Sequence, residues 1–90
     1  MNKARRKELM NLKERIDELQ SAISDIQDAL QNLRDEEQEY IDNMPDNLQG
    51  SERMEKAESA VESLEEAYTT LESMYDEANE AASAIEEACE

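Results

Sequence analysis

Carboxylates are the most abundant side chains in this sequence that could do chemistry. The 90 residues contain 25 Asp and Glu against 9 Lys and Arg, which gives a formal net charge of −16, and His is absent. Acid–base catalysis requires carboxylates whose pKa values are separated by burial or by neighbouring charges. A carboxylate-bridged di-iron bundle requires Glu-x-x-His pairs, which this chain cannot form. We therefore expect no catalytic residue, no cofactor and no metal site, and predict that the protein is not an enzyme.

The acidic residues are concentrated in the last third of the chain. Residues 57–90 contain eleven acids and no base. On one helix this is about one charge per 4.6 Å, whereas a DNA single strand carries one per ~3.4 Å and a duplex one per ~1.7 Å. One such helix is too dilute to imitate a duplex, but two in a dimer come within about 1.4-fold of it.

This acidic helix is a candidate binding surface for a basic partner. The alternative is a solvated face that only provides solubility, and the negative sign argues against direct binding to nucleic acid or to an anionic membrane. The candidate residues, called the acidic face below, are Glu58, Glu62, Glu65, Glu66, Glu72, Asp76, Glu77 and Glu80.

Apolar residues at alternating steps of three and four indicate the elements that position these acids. This spacing has a mean period of 3.5 residues and is typical of coiled-coil helices. In the first half only Glu37 interrupts the apolar series, which consists of Leu9, Leu12, Ile16, Leu19, Ile23, Ile26, Leu30, Leu33, Tyr40 and Met44. In the second half the series is Met54, Ala57, Val61, Leu64, Tyr68, Leu71, Tyr75, Ala78, Ala82, Ile85 and Cys89.

Residues 43–51 separate the two series and hold the only Pro and the only Gly of the chain. Pro45 disfavours the helical conformation at the preceding residue and so ends the first helix. Ser51 is the best N-cap candidate for the second helix. The sequence therefore predicts a single domain over residues 1–90, with a helix at about 3–43, a loop at about 44–51 and a helix at about 52–89.

A short connection favours an antiparallel helical hairpin. Residues 1–34 hold seven bases and six acids, and residues 35–90 hold two bases and nineteen acids. An antiparallel arrangement places the basic N-terminus beside the acidic C-terminus and makes both charge clusters favourable. Facing residue numbers should then add up to about 94, which sets Leu19 opposite Tyr75 and Ile26 opposite Tyr68.

A second set of small apolar residues beside the main series indicates self-association. Two helices alone bury little surface against the entropy of ordering about 80 residues. The expected fold class is therefore all-α, a two-helix coiled-coil hairpin that forms a homodimer and a four-helix bundle. The predicted dimer contacts, called the alanine row below, are Ala60, Ala67, Met74 and Ala81, and Ala22 and Ala29 occupy the equivalent row of the first helix.

Three further expectations concern the location of the protein, its single cysteine and the tip of its loop. Apolar runs of two or three residues predict neither a membrane span nor a signal peptide, so a cytoplasmic location is expected. Cys89 has no partner for an intrachain disulfide. Tyr40, Met44 and Leu48 should be exposed at the tip of the loop and form an alternative contact surface.

The segment around the loop has a distinctive sequence, which is RDEEQEYIDNMPDNLQGSER over residues 34–53. The chain resembles small acidic helical-hairpin proteins of low-GC Gram-positive bacteria and of their phages and mobile elements, most clearly over residues 34–66. The resemblance implies a genomic setting in which small acidic proteins inhibit host defence systems, including CRISPR nucleases, and it supplies no catalytic residues. The expected function is a phage or mobile-element inhibitor that occupies a basic nucleic-acid-binding surface of a host protein. The alternative is a structural or adaptor coiled coil.

Overall fold

The computed structural model describes all 90 residues and consists of two long helices. Helix α1 spans Lys3–Asp42, a short 3-10 turn spans Asp46–Leu48, and helix α2 spans Glu52–Ala88. The helices pack against each other in antiparallel orientation and form a rod of 70 × 14 × 13 Å. The prediction of an all-α helical hairpin is therefore confirmed.

Local capping explains where the helices begin and why the chain reverses. The Asn2 side chain accepts a hydrogen bond from the Arg5 backbone N–H at 2.8 Å. The Ser51 hydroxyl accepts one from the Met54 N–H at 3.3 Å and begins α2, as the sequence predicts. Between the helices, Gly50 adopts a φ of 75°, a left-handed conformation that glycine reaches without steric cost.

The tightest packing lies at the closed end of the hairpin. Ile41 at the end of α1 and Met44 just after it contact a patch formed by Met54, Ala57 and Val61 of α2. The prediction that Met44 is exposed is wrong, because the reversal of the chain folds its side chain into this cluster and leaves it only 7% exposed. Leu48 is half-buried against the same cluster, so only Tyr40 of the three predicted loop-tip contacts is exposed.

Helix α2 turns its predicted apolar series toward α1, with Tyr75 the only member that is exposed. Only half of the first predicted series faces α2, namely Leu9, Ile16, Ile23 and Leu30 of α1 and Met44 just after it, together with Glu37. The other half is exposed and is called the apolar row below: Leu12, Leu19, Ile26, Leu33 and Tyr40.

The sequence predicts that the apolar row faces α2, but four polar residues face it instead. They are called the polar row below: Lys13, Gln20, Gln27 and Arg34. Compared with the predicted arrangement, α1 is rotated by about 50° about its own axis, half of one residue step. The predicted pairs of Leu19 with Tyr75 and of Ile26 with Tyr68 are therefore wrong. In the rotated arrangement the long polar side chains form hydrogen bonds and ion pairs with α2 that leucine cannot make.

Candidate functional site

The glutamines of the polar row fix the register of the hairpin. Gln20 Nε2 donates a hydrogen bond to the Tyr75 carbonyl oxygen at 3.2 Å, and Gln27 Nε2 donates one to the Tyr68 carbonyl oxygen at 3.3 Å. In both pairs the two residue numbers add up to 95. The predicted antiparallel register is thus correct to within one residue, although different side chains define it.

Arg34 connects the polar row to the acidic face. Its Nε and Nη2 atoms both lie 2.9 Å from Glu65 Oε1, and its Nη1 lies 3.3 Å from Asp35 Oδ1. The hydrogen bond that Arg34 donates to Glu65 raises the pKa of Arg34 above its ordinary value, so the guanidinium stays charged. Glu65 is consequently neutralised within the hairpin and is the one member of the acidic face with an intramolecular partner.

Lys13 forms the corresponding contact near the open end of the hairpin. Its Nζ pairs with Glu86, and the hydrogen bond to this carboxylate raises the pKa of Lys13. The basic residues nearer the N-terminus, Arg5, Arg6 and Lys7, form no ion pair with α2. Of the predicted attraction between the two chain ends, the ion pair between Lys13 and Glu86 is therefore the only close contact.

All eight residues of the acidic face are exposed on α2. The hairpin contains only four ion pairs, and Glu65 is the only residue of the acidic face in any of them. Seven carboxylates therefore project from α2 without a counter-charge: Glu58, Glu62, Glu66, Glu72, Asp76, Glu77 and Glu80. Because like charges at this spacing add their fields, the surface attracts cations and cationic side chains.

The apolar row and the alanine row border the same long side of the hairpin. Glu65 and Glu86 contact the polar row, so the polar flank of α2 lies beside the polar flank of α1. The alanine row lies on the opposite flank of α2, and the apolar row lies on the opposite flank of α1. The two rows together form the apolar face of the hairpin, along which an open groove is lined by Leu12, Ile16, Leu19 and Ile85.

The apolar face is substantially exposed in the single chain. The side chains of the apolar row are between 44% and 53% exposed. On α2, Met74 and Ala81 are exposed, whereas Ala60 and Ala67 are half-buried. An exposed apolar strip of this length marks a contact surface more often than chance solvent exposure does.

The structure places no other cluster of reactive groups together. No group of three or more His, Cys, Asp or Glu side chains is arranged to hold a metal ion. Cys89 is a free, half-buried thiol at the C-terminal end of α2. Neither helix contains a segment long and apolar enough to cross a membrane.

The fold and these surfaces define a two-helix hairpin with one acidic and one apolar face. Comparisons with protein-family models, with curated proteins and with solved structures found no match to this chain. Its two faces must therefore be interpreted from their own chemistry.

Proposed function

We propose that the protein is a non-enzymatic interaction module that inhibits a host defence protein by occupying its basic, nucleic-acid-binding surface. The observation that carries this proposal is the set of seven carboxylates on α2 that have no counter-charge within the hairpin. A basic groove that accepts a nucleic acid offers the opposite charge along a comparable length. The proposal includes the anti-CRISPR-like role, in the cytoplasm of a bacterial host, that the sequence resemblance implies.

The geometry supports imitation of a nucleic acid better than a single ionic contact. Helix α2 has 37 residues and is therefore about 55 Å long. The free carboxylates of the acidic face extend from Glu58 to Glu80, a rise of about 33 Å, which corresponds to nearly one turn of duplex DNA. A partner would have to present lysines and arginines over the same distance, as DNA-binding grooves do.

We further propose that the protein forms a homodimer in which the apolar faces of two hairpins build a four-helix bundle. Self-association covers the leucines that the single chain exposes, and it leaves most of the acidic face outside the contact. The dimer also doubles the number of carboxylates on one particle. Both consequences favour binding to an extended basic surface.

The second candidate is a structural or adaptor coiled coil whose acidic face only keeps the protein in solution. The exposed apolar row favours this alternative, because it provides a contact surface that does not require the acidic residues. The two candidates differ in their salt dependence. Binding through the acidic face weakens steeply with ionic strength, whereas association through apolar surfaces does not.

The experiment that tests the proposal reverses five free acids of α2 and compares the result with a charge-matched control. The test variant changes Glu58, Glu62, Glu66, Glu72 and Asp76 to Lys. It spares Glu65, because a lysine at this position would face Arg34 and weaken the hairpin. The control variant reverses five exposed acids of α1, namely Glu8, Glu14, Glu18, Asp25 and Asp28.

Both variants carry the same net charge, and circular dichroism verifies that both remain helical. Each is used to capture proteins from a lysate of a Gram-positive host, and the captured proteins are challenged with duplex DNA. The proposal predicts a basic protein that the wild type and the α1 control retain, that DNA displaces, and that the α2 variant loses. Equal retention by the α1 and α2 variants would show that the position of the acids on α2 is irrelevant and would reject the proposal.

A further inference from the structure

The outer side of α1 carries a second coiled-coil pattern that the hairpin itself does not use. Between the members of the apolar row lie further exposed residues at alternating steps of three and four. The complete series is Leu12, Arg15, Leu19, Ala22, Ile26, Ala29, Leu33, Glu36 and Tyr40. Such a regular series predicts a helix–helix contact on this side of α1, and no other helix of the hairpin is available to make it.

The series is self-complementary when it is read in reverse. Ile26 is its centre, and Leu19 and Leu33 lie seven residues to either side. When two copies of the series run in opposite directions, Ala22 of one copy lies opposite Ala29 of the other, and Arg15 lies opposite Glu36. The reversal therefore places large residues at equivalent levels and a cation opposite an anion, which is the requirement of a two-fold symmetric contact.

Charges over a longer stretch of α1 show the same complementarity. A dyad at Ile26 brings together residues whose numbers add up to about 52, so residues 10–15 of one copy lie beside residues 37–42, the last six of α1, of the other. Residues 10–15 contain two bases and one acid, whereas residues 37–42 contain three acids and no base. Arg5, Arg6, Lys7, Arg15 and Glu36 have no ion-pair partner within the hairpin.

We propose that the apolar row is the contact surface for a second copy of this chain, whose α1 crosses it antiparallel about a two-fold axis at Ile26. This inference rests on the proposed homodimer and specifies its geometry. In this arrangement α1 packs on the partner's α1, and α2 packs on the partner's α2. The alternative four-helix arrangement, with α1 on the partner's α2, would place both closed ends at the same end of the bundle.

The size of the surface is sufficient for a stable dimer. From Leu12 to Tyr40 the helix rises by about 42 Å, and the hairpin is 14 Å wide. The projected area is about 600 Å², and protruding side chains make the accessible area larger, close to the roughly 800 Å² per partner of a standard interface. The alanine row allows the two α2 helices to approach closely on the other half of the face.

The antiparallel dimer has a direct consequence for the acidic face. The two α2 helices become neighbours on one side of the bundle, so their free carboxylates form one continuous acidic surface. In the alternative arrangement the two α2 helices would lie at diagonal corners and present two separate acidic strips. The inferred geometry is thus the one that approaches the charge density of a duplex.

A charge swap between Arg15 and Glu36 tests this geometry. The two residues are 21 positions apart on α1, a separation of about 31 Å, so they cannot compensate each other within one chain. Arg15→Glu should weaken the dimer about 10-fold in sedimentation equilibrium, because two acid–acid contacts replace two ion pairs. Glu36→Arg should act similarly, and the double variant should restore the dissociation constant to within about threefold of the wild type. Loss of dimerisation in the double variant, or no effect of either single variant, would overturn the proposal.

Disulfide cross-linking provides an independent measurement in a Cys89→Ser background. Ile26→Cys places two thiols at the axis and should yield a covalent dimer under mild oxidation. The matched control Leu12→Cys occupies the same row, but its two thiols lie about 42 Å apart and should not react. Equal cross-linking of both variants would contradict the antiparallel axis. A wild type that remains monomeric at about 100 µM would reject the dimer itself, while binding through the acidic face, tested by the α1 and α2 charge reversals, would be unaffected.

Discussion

Replacing Ile23 and Leu19 individually with alanine distinguishes the observed hairpin from the one that the apolar spacing alone predicts. The spacing places both residues between the helices. In the structure Ile23 is 2% exposed, whereas Leu19 is 51% exposed. The two substitutions should therefore differ strongly in the free energy of unfolding, measured by urea titration with circular dichroism at about 1 µM, where dimerisation is weakest.

The expected magnitudes follow from the buried fraction of each side chain. Ile23→Ala removes three carbon groups at about 0.8 kcal/mol each and leaves part of a cavity, so it should cost about 3 kcal/mol. Leu19→Ala loses only about half of the same transfer free energy and gains slightly in helix propensity, so it should cost about 1 kcal/mol. In a domain of this size these costs correspond to decreases in Tm of roughly 10–20 °C and 5 °C.

The same pair of variants also reports on self-association. At about 100 µM the cost of Leu19→Ala should rise toward that of Ile23→Ala, because the proposed dimer covers Leu19 in both copies and the stability of a dimer depends on concentration. The cost of Ile23→Ala should depend much less on concentration. Equal costs of the two substitutions at 1 µM would show that Leu19 lies between the helices and would refute the rotation of α1 described above.

Three further measurements test individual parts of the structure. Met44→Ala should cost about 2–4 kcal/mol of unfolding free energy in urea titrations, whereas Tyr40→Ala at the exposed end of α1 should cost about 1 kcal/mol or less. Ser51→Ala removes the hydrogen bond that begins α2 and should cost about 1 kcal/mol, and Ser51→Asp should retain most of the stability. Because the hydrogen bond that Lys13 donates to Glu86 raises the pKa of Lys13, its contribution to stability is present in full below the ordinary value of 10.5 and is lost as the pH rises through the raised value. The stability difference between the wild type and Lys13→Gln should therefore stay constant at neutral pH and narrow above 10.5.

The fold was predictable because each local signal has one dominant interpretation. Pro45, Gly50 and Ser51 together permit only an interruption and a new helix start at this point of the chain. The series on α2 has no competing apolar row of large residues, so its inward side follows directly from the spacing.

The rotation of α1 was not predictable from apolar spacing alone. Helix α1 has three neighbouring rows, and the central row, with Leu9 and Ile23, fits a contact on either flank. A preference for apolar residues predicts that the side of α1 with Leu19 packs on α2. In the structure the side with Gln20 does so, and the Gln20 amide donates a hydrogen bond to the Tyr75 carbonyl oxygen. The sequence did contain a signal for this side of α1, because long hydrogen-bond donors recur every seven residues at Lys13, Gln20, Gln27 and Arg34. A face exposed to solvent does not require such a regular series.

The acidic face was easier to predict than the loop-tip contacts. Exposure of a charged residue follows from its cost of burial, so all eight acids lie where the sequence places them. The neutralisation of Glu65 by Arg34 depends on the rotation of α1 and required the structure. Met44 and Leu48 were assigned to the surface because they flank a turn, but a reversal of this kind buries apolar side chains at its own closed end.

The proposed function is competition between the acidic face of α2 and nucleic acid for a basic surface. It is tested most directly by the fluorescence anisotropy of a labelled DNA duplex bound to the protein that the wild type captures. Addition of the wild type and of the α1 charge-reversed control should release the DNA at concentrations within a few-fold of each other, and the α2 variant should not release it. If the wild type binds the DNA complex without releasing the duplex, or if the α2 variant displaces it equally well, the acidic face is not a nucleic-acid mimic and the account is contradicted.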